Sequence, residues 1–214
     1  TRPSPAIGRW PRPGPIARPG FDGQRWQRLV FALMPKPNHS LTEPTTIAAY
    51  VEAITRALEA RGVDPDEVLR EIDVSRIRNN DPLVRITDST VNAIYARAVA
   101  LTGDEYFGLR VADCIVPGML HALGYALLAS ETLEDFCHRF VRYYGLVSQS
   151  AHLRVVVEGD TFRLEADPRD PGICFETQDV WAGLVIRLMR AASRADFHPR
   201  QLELRRPVPA GGEE

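Results

Sequence analysis

Cysteine is scarce and unpatterned in this 214-residue chain: Cys114, Cys137 and Cys174 are odd in number, far apart, and form no CxxC pair. That argues against a disulfide framework and against a zinc site, and three free thiols are expected in a reducing cytoplasm. Long apolar runs are missing too. No stretch approaches the roughly 18 apolar residues of a membrane span, and the first residues lack the apolar core of a secretory signal, so no membrane partner is expected. Catalytic signatures are equally absent: the five histidines (His39, His121, His138, His152, His198) show no HxH or HExxH spacing, and neither G-x-S-x-G nor a P-loop occurs. The expectation is a protein that is not an enzyme and that holds neither metal nor cofactor.

Basic charge is lacking where nucleic-acid binding would need it. The net charge is −2, yet residues 1 to 33 carry six arginines against the single Asp22. The remainder is therefore at −7, and an acidic body does not attract a phosphate backbone. Apolar residues make up 44% of the chain, which is enough for a real core.

Residues 1–40 hold eight of the 17 prolines and are expected to be a disordered Pro/Arg-rich extension, since proline removes backbone donors and breaks helices. A PxxP ligand for a partner domain is the alternative to a solvated tail. Met34 stands just before the folded periodicity, which suggests that residues 1–33 are an extension upstream of a natural start. Residues 41–214 then form one domain.

Within that domain, Ile47, Val51, Ile54 and Leu58 fall on one helical face, with Thr45 or Thr46 as cap and Gly62 beyond the end. Asp64-Pro65-Asp66-Glu67 opens a short helix burying Val68, Leu69 and Ile72. Thr87 or Asp88 caps a third helix with a stripe of Val91, Ile94, Ala98 and Leu101, closed by Gly103. Pro117-Gly118 turns into an apolar run, LHALGYALLA, and Ser130 to Thr132 caps a helix that buries Leu133, Phe136, Cys137, Phe140 and Tyr144.

Leu153, Val155 and Val157 then alternate with polar residues, Gly159-Asp160 makes a turn, and Phe162, Leu164 and Ala166 alternate in reply, so a hairpin is expected. A helix over 177–192 carries Trp181, Leu184 and Leu188, and residues 201–208 read as one more strand. The class is α+β: amphipathic helices packed on a small antiparallel sheet, in the order helices, hairpin, helix, strand. Three strands are few for so many helices, so further strands or a partner chain are expected to complete the sheet.

Two stretches stay open between chemistry and packing. FGLR, from Phe107 to Arg110, offers either a ligand contact or a glycine that lets two helices approach. RFVRYYGL either presents Arg142, Tyr143 and Tyr144 to an acidic ligand or buries Tyr144 and solvates Arg142.

TGDEYFGLRVAD, PGMLHALGYALLASETLEDFCHRFVRYYGLVSQSAHLRVVVEGD and FHPRQLELRRPVPA together resemble the N-terminal effector-binding (arabinose-binding-type) domain of AraC-type bacterial transcription regulators, in the branch related to ornithine-utilisation regulators. The matching features run from about Thr46 to Ala210. The resemblance implies a regulatory domain that senses a small-molecule effector and forms a homodimer, with DNA reached only through a C-terminal helix-turn-helix domain that these residues do not contain. Truncation before that domain is the expectation. A ligand-free dimerisation module that partners an intact regulator is the alternative. The same resemblance puts the LGYALL helix at the domain centre, and it makes His121, Tyr125, Arg110 and Trp181 the candidate ligand-binding residues.

Overall fold

The computed structural model describes residues 43–70, 84–159, 161–193 and 197–208. The expected N-terminal tail, Ile72 and the turn residue Asp160 lie outside the described residues.

Thr45 and Thr46 do not cap a helix. β-branched side chains suit a pleated strand as well as a cap, and here Thr45–Ile47 forms β1, which pairs antiparallel with β2 (Arg85–Thr87) in the register Thr46↔Ile86. The other edge of β1 is also occupied: Thr46 bridges Ser148, and the Ile47 N–H donates to the Val147 carbonyl at 2.9 Å. Arg85 pins this seam, its Nε donating to Thr45 Oγ1 at 2.7 Å and an Nη to the Leu146 carbonyl at 3.0 Å.

Helix α1 (Ala49–Ala60) follows, burying Val51, Ile54, Ala57 and Leu58, and α2 (Pro65–Leu69) starts where the Asp66 N–H donates to the Asp64 carboxylate at 2.9 Å. Helix α3 (Asp88–Thr102) is capped by Thr87, and Gly103 closes it in the left-handed conformation that costs glycine least. Its buried stripe takes in Tyr95, fully enclosed, rather than Leu101, which is 42% exposed. Tyr95 meets the Tyr50 hydroxyl through a short hydrogen bond, and burial raises both phenols well above the usual range.

Helix α4 (Phe107–Cys114) lies against the long α7 (Phe175–Ser193). The glycine of FGLR is the reason they approach so closely: a Cβ at 108 would collide with the backbone of Glu176 and come within 2.9 Å of Asp179 Cβ. A 3-10 turn (Pro117–Leu120) leads into α5 (His121–Leu128), and α6 (Leu133–Tyr143) is capped where Asp135 N–H donates to Thr132 Oγ1 at 3.0 Å. Leu120, Leu123 and Leu127 pack inward and Leu128 is half-buried. A second 3-10 turn (Tyr144–Leu146) delivers the chain to β3.

Strands β3 (Ala151–Glu158) and β4 (Thr161–Pro168) form the expected hairpin, from Ala151↔Pro168 to Glu158↔Thr161. Phe162, Leu164 and Ala166 face the core, whereas Val157 is 53% exposed near the hairpin tip. On the other face Glu165 is buried, because Arg154 Nε approaches it at 2.5 Å and Arg163 Nε at 3.3 Å.

The expected third strand is a correction. Residues 201–208 have no ladder partner among the described residues, so the sheets are two separate pairs, β1-β2 and β3-β4. Alternation alone does not make a strand without an edge to join. Side chains hold the segment instead: Arg206 pairs with the buried Asp179 and lies over the rings of Tyr106 and Phe175 at 5.7 and 5.9 Å. The class remains α+β, and no described helix is long and apolar enough to cross a membrane.

Candidate functional site

A cavity of about 60 Å³ opens between β1, α1, the start of α3, the segment 147–150 and α7. Its walls are mostly apolar, with Ile47, Val91, Ile115, Leu120, Val180 and Leu184 among the lining residues. Aromatic rings supply the rest. Tyr50 comes from α1, Tyr144 from the second 3-10 turn, and Trp181 from α7. Trp181 stacks at 5.9 Å from Phe140 and meets Tyr144 edge-on at 6.5 Å, so one aromatic cluster sets the position of both rings. Burial pushes the Tyr144 phenol up to about 12, with hydrogen bonds to Ser148 and Trp181 pulling the other way, so it stays protonated at neutral pH. A second cavity of about 40 Å³ shares Tyr144, Ser150, Thr177 and Trp181 with the first and is also lined by Leu204.

One strip of the larger cavity is polar. Ser148 Oγ donates to Ser150 Oγ at 2.9 Å, and Ser150 Oγ donates to Asp88 Oδ1 at 2.5 Å. Thr46 Oγ1 lies 2.9 Å from Ser148 Oγ. Thr46 Oγ1 is also 3.3 Å from Ser150 Oγ; a hydroxyl has one proton to give, so with Ser148 and Ser150 donating along the row, Thr46 donates to one of the two serines. Asp88 is 1% exposed and its second oxygen, Oδ2, has no hydrogen-bond partner among the described residues. Burial raises its pKa above the ordinary carboxylate value, opposed by the Ser150 hydrogen bond. The location of Asp88 in the first turn of α3 favours the charged form.

Of the four candidate residues from the sequence, Trp181 lines both cavities. The other three line neither. Arg110 is on the surface, its Nε 3.3 Å from Asp104, which Arg61 also contacts at 2.5 Å. Tyr125 is 65% exposed. His121 is half-buried directly after the cavity residues Met119 and Leu120, its Nε2 buried without a hydrogen-bond partner among the described residues and its backbone at φ 51° and ψ −140°. No other non-glycine described residue has a positive φ. The RYY stretch divides as packing dictates, with Tyr144 in the cavity wall and Arg142 outside, 5.3 Å above the Tyr143 ring.

Sequence reasoning missed Asp88, Ser148, Ser150 and Thr46. Asp88 carried a signal, but a local one, because an acidic residue before an apolar stripe reads first as a cap. The two serines lie between periodic segments and carried none. Burial raises the Cys114 thiol and pushes Cys137 up to about 12 and Cys174 up to about 11, which disfavours the reactive thiolate in all three. Among the described residues no group of three His, Cys, Asp or Glu is placed to hold a metal ion.

Residues 62–214 match the N-terminal arabinose-binding domain of AraC transcription regulators. The chain belongs to this family. The match covers most of the chain and takes in α3, α7 and the serines of the polar strip, so the larger cavity is built mainly by the family's own segment. No curated protein matches the chain. As a member of the arabinose-binding-domain family it is a ligand-sensing regulatory domain, a class distinct from enzymes.

Proposed function

We propose that this AraC-type domain receives its effector in the cavity bounded by Tyr50, Asp88, Tyr144 and Trp181. The observation that carries the reading is the combination of apolar walls with a short convergent polar strip, which is the usual composition of small-molecule sites. Occupancy acts by favouring the domain arrangement that binds the effector more tightly, so regulation requires unequal affinity for two states. A cavity of about 60 Å³ is smaller than the ~150 Å³ void known to admit benzene. The effector is therefore small, or binding widens the space on the side of Tyr50 and β1. Cytoplasmic placement, which rests on the unpaired cysteines, and kinship to the ornithine-utilisation branch, which rests on the sequence resemblance, belong to the same proposal.

A thermal-shift series with amines, alcohols, amino acids, fatty acids and aromatic acids tests this. A true effector raises Tm in proportion to the logarithm of its concentration above Kd, and Trp181→Ala weakens the shift at least tenfold in apparent Kd. A panel in which no class moves Tm sinks the reading.

The second reading is a dimerisation module that needs no ligand. In its favour, Leu146 (66% exposed) and Tyr143 (40% exposed) border a surface groove of about 640 Å³ between α5 and α6. Light scattering across a concentration series decides it: a dimer dissociated by Leu146→Glu supports this face, and a monomer at every concentration rejects it.

A further inference from the structure

We propose that the cavity selects a primary amine on a small apolar body, with the ammonium group seated on Asp88 Oδ2. This rests on the effector-sensing reading above and names the chemical class that the site takes.

The argument begins with an asymmetry inside one carboxylate. Oδ1 is satisfied by Ser150, itself fed by Ser148, while Oδ2 is buried and has no partner among the described residues. A buried carboxylate oxygen left without a donor is costly, and a ligand that supplies charge and donors together recovers most of that cost. An ammonium does both. An alcohol brings one donor and no charge, and a carboxylate brings repulsion.

The surroundings point the same way. No arginine, lysine or histidine is among the described residues lining the cavity, so nothing there would pair the acid group of a fatty acid or an amino acid. The nearby acids Glu43 and Asp170 add negative potential at Asp88, with Arg169 opposing. Tyr50, Tyr144 and Trp181 offer aromatic surfaces of the kind that attract an organic cation. The remaining wall is hydrocarbon, which suits an alkyl or aryl body and rejects a polyhydroxylated one. The cavity volume of about 60 Å³ keeps that body short.

The test compares n-butylamine, n-butanol and butyrate on the full chain by calorimetry and thermal shift. Butylamine is expected to bind at least tenfold more tightly than butanol, and butyrate not to bind. Asp88→Asn, which keeps the acceptor for Ser150, is expected to lower butylamine affinity at least tenfold and leave butanol within threefold. Butanol or butyrate binding as well as the amine, or an amine affinity unchanged in Asp88→Asn, overturns the assignment of ligand class while leaving the cavity as the effector site. If the variant does not fold, the wild-type ranking of the three probes decides alone. Silence from all three probes overturns the amine assignment. If the wider panel is silent as well, the sensing reading falls with it.

Discussion

Two regions of this domain bury carboxylates and treat them differently. Along the hairpin and the C-terminal segment each buried acid is matched by arginine: Glu165 sits between Arg154 and Arg163, and Asp179 meets Arg206. At the cavity, Asp88 is as deeply buried as Asp179 but is served on one oxygen by a row of hydroxyls, and no ion pair is formed to it among the described residues. Matched acids complete the fold. An unmatched acid beside a void is a cost to stability that a bound partner would offset, and the difference separates scaffold from site more clearly than burial does.

The largest expected effect comes from breaking a matched pair. Arg206→Ala leaves Asp179, 2% exposed, without its cation, and about 3 kcal/mol should be lost in urea unfolding at neutral pH. Glu165→Gln should cost less, about 1 to 2 kcal/mol, because Arg154 is half exposed and water screens it. A smaller gain is expected where the cavity side stores backbone strain. His121→Gly relieves the φ of 51° and should stabilise by about 1 kcal/mol on the same assay.

The smallest shift sharpens the contrast most. Asp88→Asn should cost nothing and should stabilise by up to about 1 kcal/mol at neutral pH, since a buried charge is removed and the Ser150 hydrogen bond is kept. The pH dependence has a definite sign. Because burial raises the folded pKa of Asp88 above its unfolded value, the destabilisation is full above the folded pKa and is relieved as pH falls toward the unfolded one. The stability gap between variant and wild type should therefore narrow on acidification. A gap that widens on acidification contradicts this account of Asp88.

Much of the helical framework was legible because its signals are local. Asp64, Thr87 and Thr132 cap where spacing placed them, and Gly103 closes α3 as expected. The strands were harder, because their partners are distant in sequence. Thr45 and Thr46 satisfy the rules for a cap and for a strand alike, and residues 85–87 and 147–149 decide between them. Conversely, Leu202 and Leu204 alternate like a strand but meet no free edge among the described residues.

Of the four candidate residues, Trp181 is the one that lines the proposed cavity. His121 and Tyr125 do share a helix. However, the helix begins at His121 after a 3-10 turn, and Tyr125 ends on the outside. Asp88, Ser148 and Ser150 come together across about 60 residues of chain, a separation that no periodic pattern records.

The contact at Gly108 also bears on how the cavity can deform. Where α4 meets α7, a Cβ at Gly108 would meet the Glu176 backbone and one at Gly183 would lie only 3.0 Å from Ala112 Cβ, so the two helices are in close contact with little room to compress. The wall carrying Val180, Trp181 and Leu184 is thus braced from behind. When an occupant needs more room, the yielding side is the opposite one, where Tyr50 and the short β1 seam are secured by hydrogen bonds that can be exchanged one at a time.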